Sequence, residues 1–171
     1  ELVEGEWSEN VAGILQNLGG IDLNLGRLDE ALGRFKSALR VYRRVYGPEH
    51  EKVANVLNIV GLVLQGQGDL DGAMAKYEKA HAMIIKLHGA GHPIMAVLLG
   101  NMGRVLAAKG KNREAAPIME KALDIQRRNG ETESDEGAKS LYNLGSVYTD
   151  LGMYQEALSR LEEGLGITRR I

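Results

Sequence analysis

Residues 141–167, LYNLGSVYTDLGMYQEALSRLEEGLGI, decide the fold. Leu141, Leu144, Val147, Tyr148 and Leu151 recur at intervals of three and four, the spacing of one face of an α-helix. Gly152 follows, where a helix is readily ended by a residue free to take positive φ. A second stripe then runs through Tyr154, Ala157, Leu158, Leu161, Leu165 and Ile167. The stretch predicts two antiparallel helices joined by a tight turn.

Working outward, the same pattern returns every 42 residues without a gap. Ala12, Ala54, Ala96 and Ala138 stay in step, as do Leu15, Leu57, Leu99 and Leu141. So do Gly19, Gly61, Gly103 and Gly145; Gly26, Gly68, Gly110 and Gly152; and Ala31, Ala73, Ala115 and Ala157. Ala38, Ala80 and Ala122 continue the series until Gly164 interrupts it. Four repeats are expected, at 11–52, 53–94, 95–136 and 137–171. Residues 1–10 are expected to be the tail of a preceding repeat or a linker, since Leu2-Val3-Glu4-Gly5 falls on Arg44-Val45-Tyr46-Gly47. The fourth copy is expected to be incomplete, with no polar cap, so that further repeats or partners would cover the ends. No alternating strand pattern occurs in the sequence.

The 22 glycines are the unusual feature of the composition, and their register explains them. Gly19 and its equivalents are expected where the first helix crosses Ala31 and its equivalents on the second. Phe35, Tyr77, Met119 and Leu161 would fill the space one turn away. No glycine-rich stretch follows a strand or ends in the Gly-Lys-Ser/Thr of a phosphate cradle. Hydrophobic residues at 44% and charged residues at 26% are those of a soluble globular protein. A net charge of −2 argues against a general affinity for nucleic acid or anionic membrane. With no cysteine, thiolate chemistry and disulfides are excluded. No apolar run approaches the length of a membrane span. A cytoplasmic location and no membrane insertion are expected.

The motif Leu141-x2-Leu144-Gly145-x2-Tyr148, then Ala157-x3-Leu161, resembles the tetratricopeptide (TPR) repeat, as does Leu15-x2-Leu18-Gly19 with Ala31-x3-Phe35. The eight residues beyond the usual 34 lie at the end of the second helix and in the loop after it. That long form, with Tyr46-Gly47-Pro48-Glu49-His50 and His88-Gly89-Ala90-Gly91-His92-Pro93, is similar to the repeats of the kinesin light chain group. Leu15-Gln16-Asn17-Leu18-Gly19 and Leu141-Tyr142-Asn143-Leu144-Gly145 look like that group's first helices, and Pro117 sits where those repeats often carry proline. The resemblance implies an all-α fold, a right-handed α-solenoid of antiparallel helix pairs wound into a TPR-like superhelix.

It also implies a concave wall lined by first helices, and the candidate peptide-binding residues are Asn17, Asn58, Asn101, Arg104, Lys139, Tyr142, Asn143 and Ser146. A carboxamide donates and accepts, so asparagines suit the backbone of an extended peptide. Arg104 and Lys139 would favour an acidic or C-terminal carboxylate. The basic pairs at second-helix ends, Arg43-Arg44, Lys86, Arg127-Arg128 and Arg169-Arg170, are expected to meet the negative end of the helix dipole. The acidic loop of Glu131, Glu133, Asp135 and Glu136 is expected to keep a connection solvated. His50 and His92 share a loop position, which suggests loop packing. His81 and His88 share a helix face, but no carboxylate pattern completes a metal site around them. No catalytic residue, metal or cofactor is expected. The expected function is a non-catalytic adaptor holding a peptide of a partner protein. The alternatives are a structural subunit held through convex faces and array ends, or a sensor module of a larger polypeptide.

Overall fold

The structure, a computed structural model, describes residues 7–171. Most of the expected tail at 1–10, residues 1–6, lies outside the described residues. Among the described residues eight helices follow one another: α1 (Glu9–Asn24), α2 (Leu28–Tyr46), α3 (Glu51–Gly66), α4 (Leu70–His88), α5 (Ile94–Ala108), α6 (Asn112–Arg128), α7 (Asp135–Asp150) and α8 (Tyr154–Arg170). Among the described residues there is no strand. The chain divides into two compact units, Glu1–Gly89 with α1–α4 and Ala90–Ile171 with α5–α8. In the first, α1 packs on α2, α3 on α4, and α2 on α3. In the second, α5 packs on α6, α7 on α8, α6 on α7, and α5 also touches α7.

The turns within pairs fall where the glycine register places them, with φ of 72°, 83°, 73° and 73° at Gly26, Gly68, Gly110 and Gly152. A side chain there would strain a left-handed backbone. Helix starts use short polar acceptors: the Ser8, Asp69 and Ser134 oxygens accept from the backbone N–H of Val11, Gly72 and Gly137 at 3.3, 2.8 and 3.1 Å. At α3 the acceptor is His50 Nδ1, 3.1 Å from the Lys52 N–H, with the ring stacked 4.3 Å from that of Tyr46. The expected loop-packing role of His50 is thereby specified as a helix cap.

Within each pair the core is a glycine facing a large side chain. A Cβ on Gly19, Gly61, Gly103 or Gly145 would stand 3.0, 2.6, 2.5 or 2.7 Å from Phe35, Tyr77, Met119 or Leu161. The close neighbour is thus the large residue itself, not chiefly the alanine of the second helix. Ala31, Ala73, Ala115 and Ala157 are buried alongside. Phe35 and Tyr77 fill the room that the missing side chain leaves, and the helices close to interior packing density.

This packing separates two glycine substitutions in the same unit. Tyr77 is fully buried and cannot swing away, so Gly61→Ala is expected to destabilise by about 1–3 kcal/mol through overpacking. That outweighs the roughly 0.5–1 kcal/mol an alanine gains in helix propensity. Gly20, inside α1 with nothing within 4 Å of an added Cβ, should instead gain about that amount as Gly20→Ala. Urea denaturation of both variants checks this; shifts of the same sign would remove packing as the reason for Gly61.

Candidate functional site

The candidate residues all lie on first helices, and the two units are taken separately. In the first unit, Asn17 is exposed on α1 and Asn58 is half-buried on α3, where it engages its surroundings. In the second unit, Asn101 and Arg104 lie on α5, three positions apart and so on one face. Their register equivalents on α7 are Asn143 and Ser146, 42 residues on in each case. Asn143 is half-buried, Ser146 exposed and Tyr142 65% exposed. Asn101 departs from expectation: it is only 9% exposed and, like Arg104, already interacts within the fold. A carboxamide at that depth has little surface left to offer a ligand.

Lys139 is fully exposed and bonds the Glu136 carboxylate at 2.8 Å, one turn back on α7. The hydrogen bond to Glu136 and then its charge hold the ammonium above its ordinary pKa. Lys139 is therefore a cation with one carboxylate partner already, a weaker donor to an acidic ligand than the sequence suggests. Tyr142 lines a groove of about 270 Å³ with Ala138, Leu161, Gly164, Leu165 and Thr168, between α7 and α8.

The basic ends of the second helices do more than meet the dipole. Lys86 bonds Glu49, Arg127 bonds Glu163 at 2.8 Å, and Arg170 bonds Glu133 through paired contacts of 2.8 Å. Glu133 of the acidic loop is thus an ion-pair partner, while Asp135 and Glu136 occupy the first turn of α7. His88 does have a carboxylate beside it, with Nε2 3.1 Å from Glu51, because the end of α4 returns to the start of α3. Spacing along one helix could not reveal that pairing.

A denser network ties α6, α7 and α8. The Tyr148 hydroxyl donates to Glu120 at 2.7 Å, and Arg160 reaches the same carboxylate at 3.1 and 3.3 Å. Burial, then the hydrogen bond and charge of Glu120, push the Tyr148 hydroxyl up to about 12 from 10.0. The sequence marks Tyr148 as a core position of the repeat motif, and its polar tip was not legible there.

The family model described as Tetratricopeptide repeat matches residues 10–86, 52–128 and 94–170. No curated protein sequence matches the chain. Among solved structures, BtubC (BKLC) from P. vanneervenii is 23% identical, with a TM-score of 0.84 over 95% of this chain and 65% of its own length, just under two thirds. The nearly identical TPR-like repeats of a Podosopora anserina chain named for kinesin light chain are 21% identical, with a TM-score of 0.71 over 95% of this chain and 78% of theirs. Aspartyl phosphate phosphatase F from Bacillus subtilis is 12% identical, with a TM-score of 0.84 over 95% of this chain and 41% of its own. At these identities the likeness is one of fold.

The Tyr148 network has a pH signature. In the folded state the hydroxyl keeps its proton between pH 10 and about 12, whereas the unfolded chain has lost it. The unfolded state binds fewer protons in that window, so stability falls as pH rises through it. Chemical denaturation from pH 9 upward should show this alkaline loss. The component should be absent from Tyr148→Phe, and an unchanged slope in that variant would detach the effect from Tyr148.

Proposed function

The chain belongs to the tetratricopeptide repeat family, and on that premise we propose that it is a non-catalytic adaptor whose first-helix faces hold a linear segment of a partner protein. The repeats and the TPR-fold neighbours support a protein-interaction scaffold in general. The α7 face carries the finer reading. There the exposed Tyr142 ring and Ser146 hydroxyl lie one turn apart on one helix, with the half-buried Asn143 carboxamide beside them. Such a row suits an extended backbone, with the ring as anchor and the carboxamide as donor and acceptor. Arg104 on α5 would meet a carboxylate of the segment. Asn17 and Asn58 would serve the same role in the first unit. Among the described residues no helix is long and apolar enough to cross a membrane.

One observation favours the structural-subunit alternative: large apolar residues are exposed on the two terminal helices, Ile14 and Ile21 on α1 and Leu158 and Leu165 on α8. The two readings concern different faces and are separable by mutation.

The test is affinity capture with mass-spectrometric readout, comparing the wild-type chain with an Arg104→Glu, Tyr142→Ala, Asn143→Ala variant whose helicity is verified by circular dichroism. Loss of an anchor ring and a cation should cut recovery of specific partners about tenfold or more. Partners retained undiminished by the folded variant would refute binding through these faces.

A further inference from the structure

In the first helix pair a side chain of α1 meets one late on α2: the Tyr42 hydroxyl donates to Gln16 Oε1 at 2.7 Å. The same two register positions in the fourth pair are Tyr142 and Thr168, which line one groove. In the second pair they are Asn58 and Ile84, and Ile84 is fully buried and apolar, so it needs no polar partner. In the third pair, 84 residues on from the first, they are Gly100 on α5 and Gln126 on α6.

Gln126 is the exception in this series. It is only 8% exposed, and its Oε1 is buried with no hydrogen-bond partner among the described residues. The register position that supplies Gln16 to Tyr42 supplies no side chain here. A Cβ added to Gly100 meets nothing within 4 Å, so the space beside α5 stands open. α6 packs on α7 as well as on α5, which places Gln126 inside the second unit. Leaving a buried carboxamide oxygen unpaired is costly, and packing alone would be served by an apolar residue such as Ile84.

The position lies on the first-helix wall. Val97 and Arg104 flank Gly100 by one turn on either side of α5, and Val97 is 50% exposed. Tyr142 holds the register position of Gly100 on α7, which α5 touches. A glycine at that point lets another chain lie close against the helix.

We propose, resting on the adaptor reading above, that Gly100 and Gln126 form a subsite for a side-chain carboxamide, an asparagine or glutamine of the bound segment. That side chain enters over Gly100, on the course that Gln16 takes in the first pair, and its N–H donates to Gln126 Oε1. Its own oxygen can accept from the Gln126 amide, the reciprocal pairing that two carboxamides allow. A carboxylate of the same shape brings no proton and repels the oxygen, and an apolar side chain leaves it unpaired. The subsite therefore selects asparagine or glutamine over aspartate or glutamate.

The geometry is tested first without a partner. Gly100→Gln supplies the carboxamide from the chain itself, as Gln16 does. In urea denaturation it should raise the folding equilibrium constant about fivefold more in the wild-type background than in Gln126→Leu. The helix propensity gained at position 100 is common to both backgrounds and cancels; equal effects in the two would overturn the subsite. Random peptides displayed on phage are then selected against wild type, Gln126→Leu and Gly100→Gln, each verified as folded by circular dichroism. Wild-type binders should carry asparagine or glutamine at one aligned position about tenfold or more over aspartate and glutamate. Both variants should lose that preference. Binders without it, or a preference that survives Gln126→Leu, would overturn the subsite and leave the adaptor reading standing. A folded wild type that selects no peptide would overturn the adaptor reading, and the subsite with it.

Discussion

The close approach of each first helix to its second, a glycine pressed against a large side chain, is the contact on which the rest of the structure depends. It occurs four times at one register position, with Phe35, Tyr77, Met119 and Leu161 as the large partners. The glycine costs helix propensity, about 0.5–1 kcal/mol each relative to alanine. The helix pair that results is thin, and each face of it is apolar. A thin two-layer pair cannot bury both faces itself, so it is stable only beside another pair, and this drives the repetition.

Polar contacts follow that repetition and do not cause it. The Lys86–Glu49 pair recurs 84 residues on, two repeat lengths, as Arg170–Glu133. Both link the end of a second helix to the segment before the first helix of the same repeat. Such exposed pairs contribute only about 0.2–1 kcal/mol each, so they tune the loop conformation while apolar burial holds the pairs together. The exception is Glu120, shared between Tyr148 and Arg160. Half-buried and doubly bonded, it joins α6, α7 and α8.

The same logic separates two kinds of exposed surface. A repeat interior must be apolar, so exposed polar residues on first helices are ordinary solvent faces, while the large apolar side chains exposed on α1 and α8 are uncovered among the described residues. The first kind bears on the proposed hold on a partner segment, and the second on the structural-subunit alternative. Fold likeness to BtubC or to a Bacillus subtilis phosphatase does not choose between them, because one solenoid carries many unrelated functions.

The 42-residue step, the two helices per repeat and the turn glycines were all legible in the sequence, because each is a local periodicity or a repetition of one packing unit, whereas the direct contact of Gly61 with Tyr77, expected instead with Ala73, was not. The burial of Asn101, the Glu136 partner of Lys139 and the Glu51 neighbour of His88 were not. Asn101 and Asn143 hold the same register position, yet one is buried and the other half-exposed, since side-chain exposure depends on which neighbours flank each repeat. Register places a residue on a face, and the sequence determines that much by itself. Whether the face is covered, and which charge reaches across to it, depends on distances between helices far apart in the chain, and only the tertiary structure decides those.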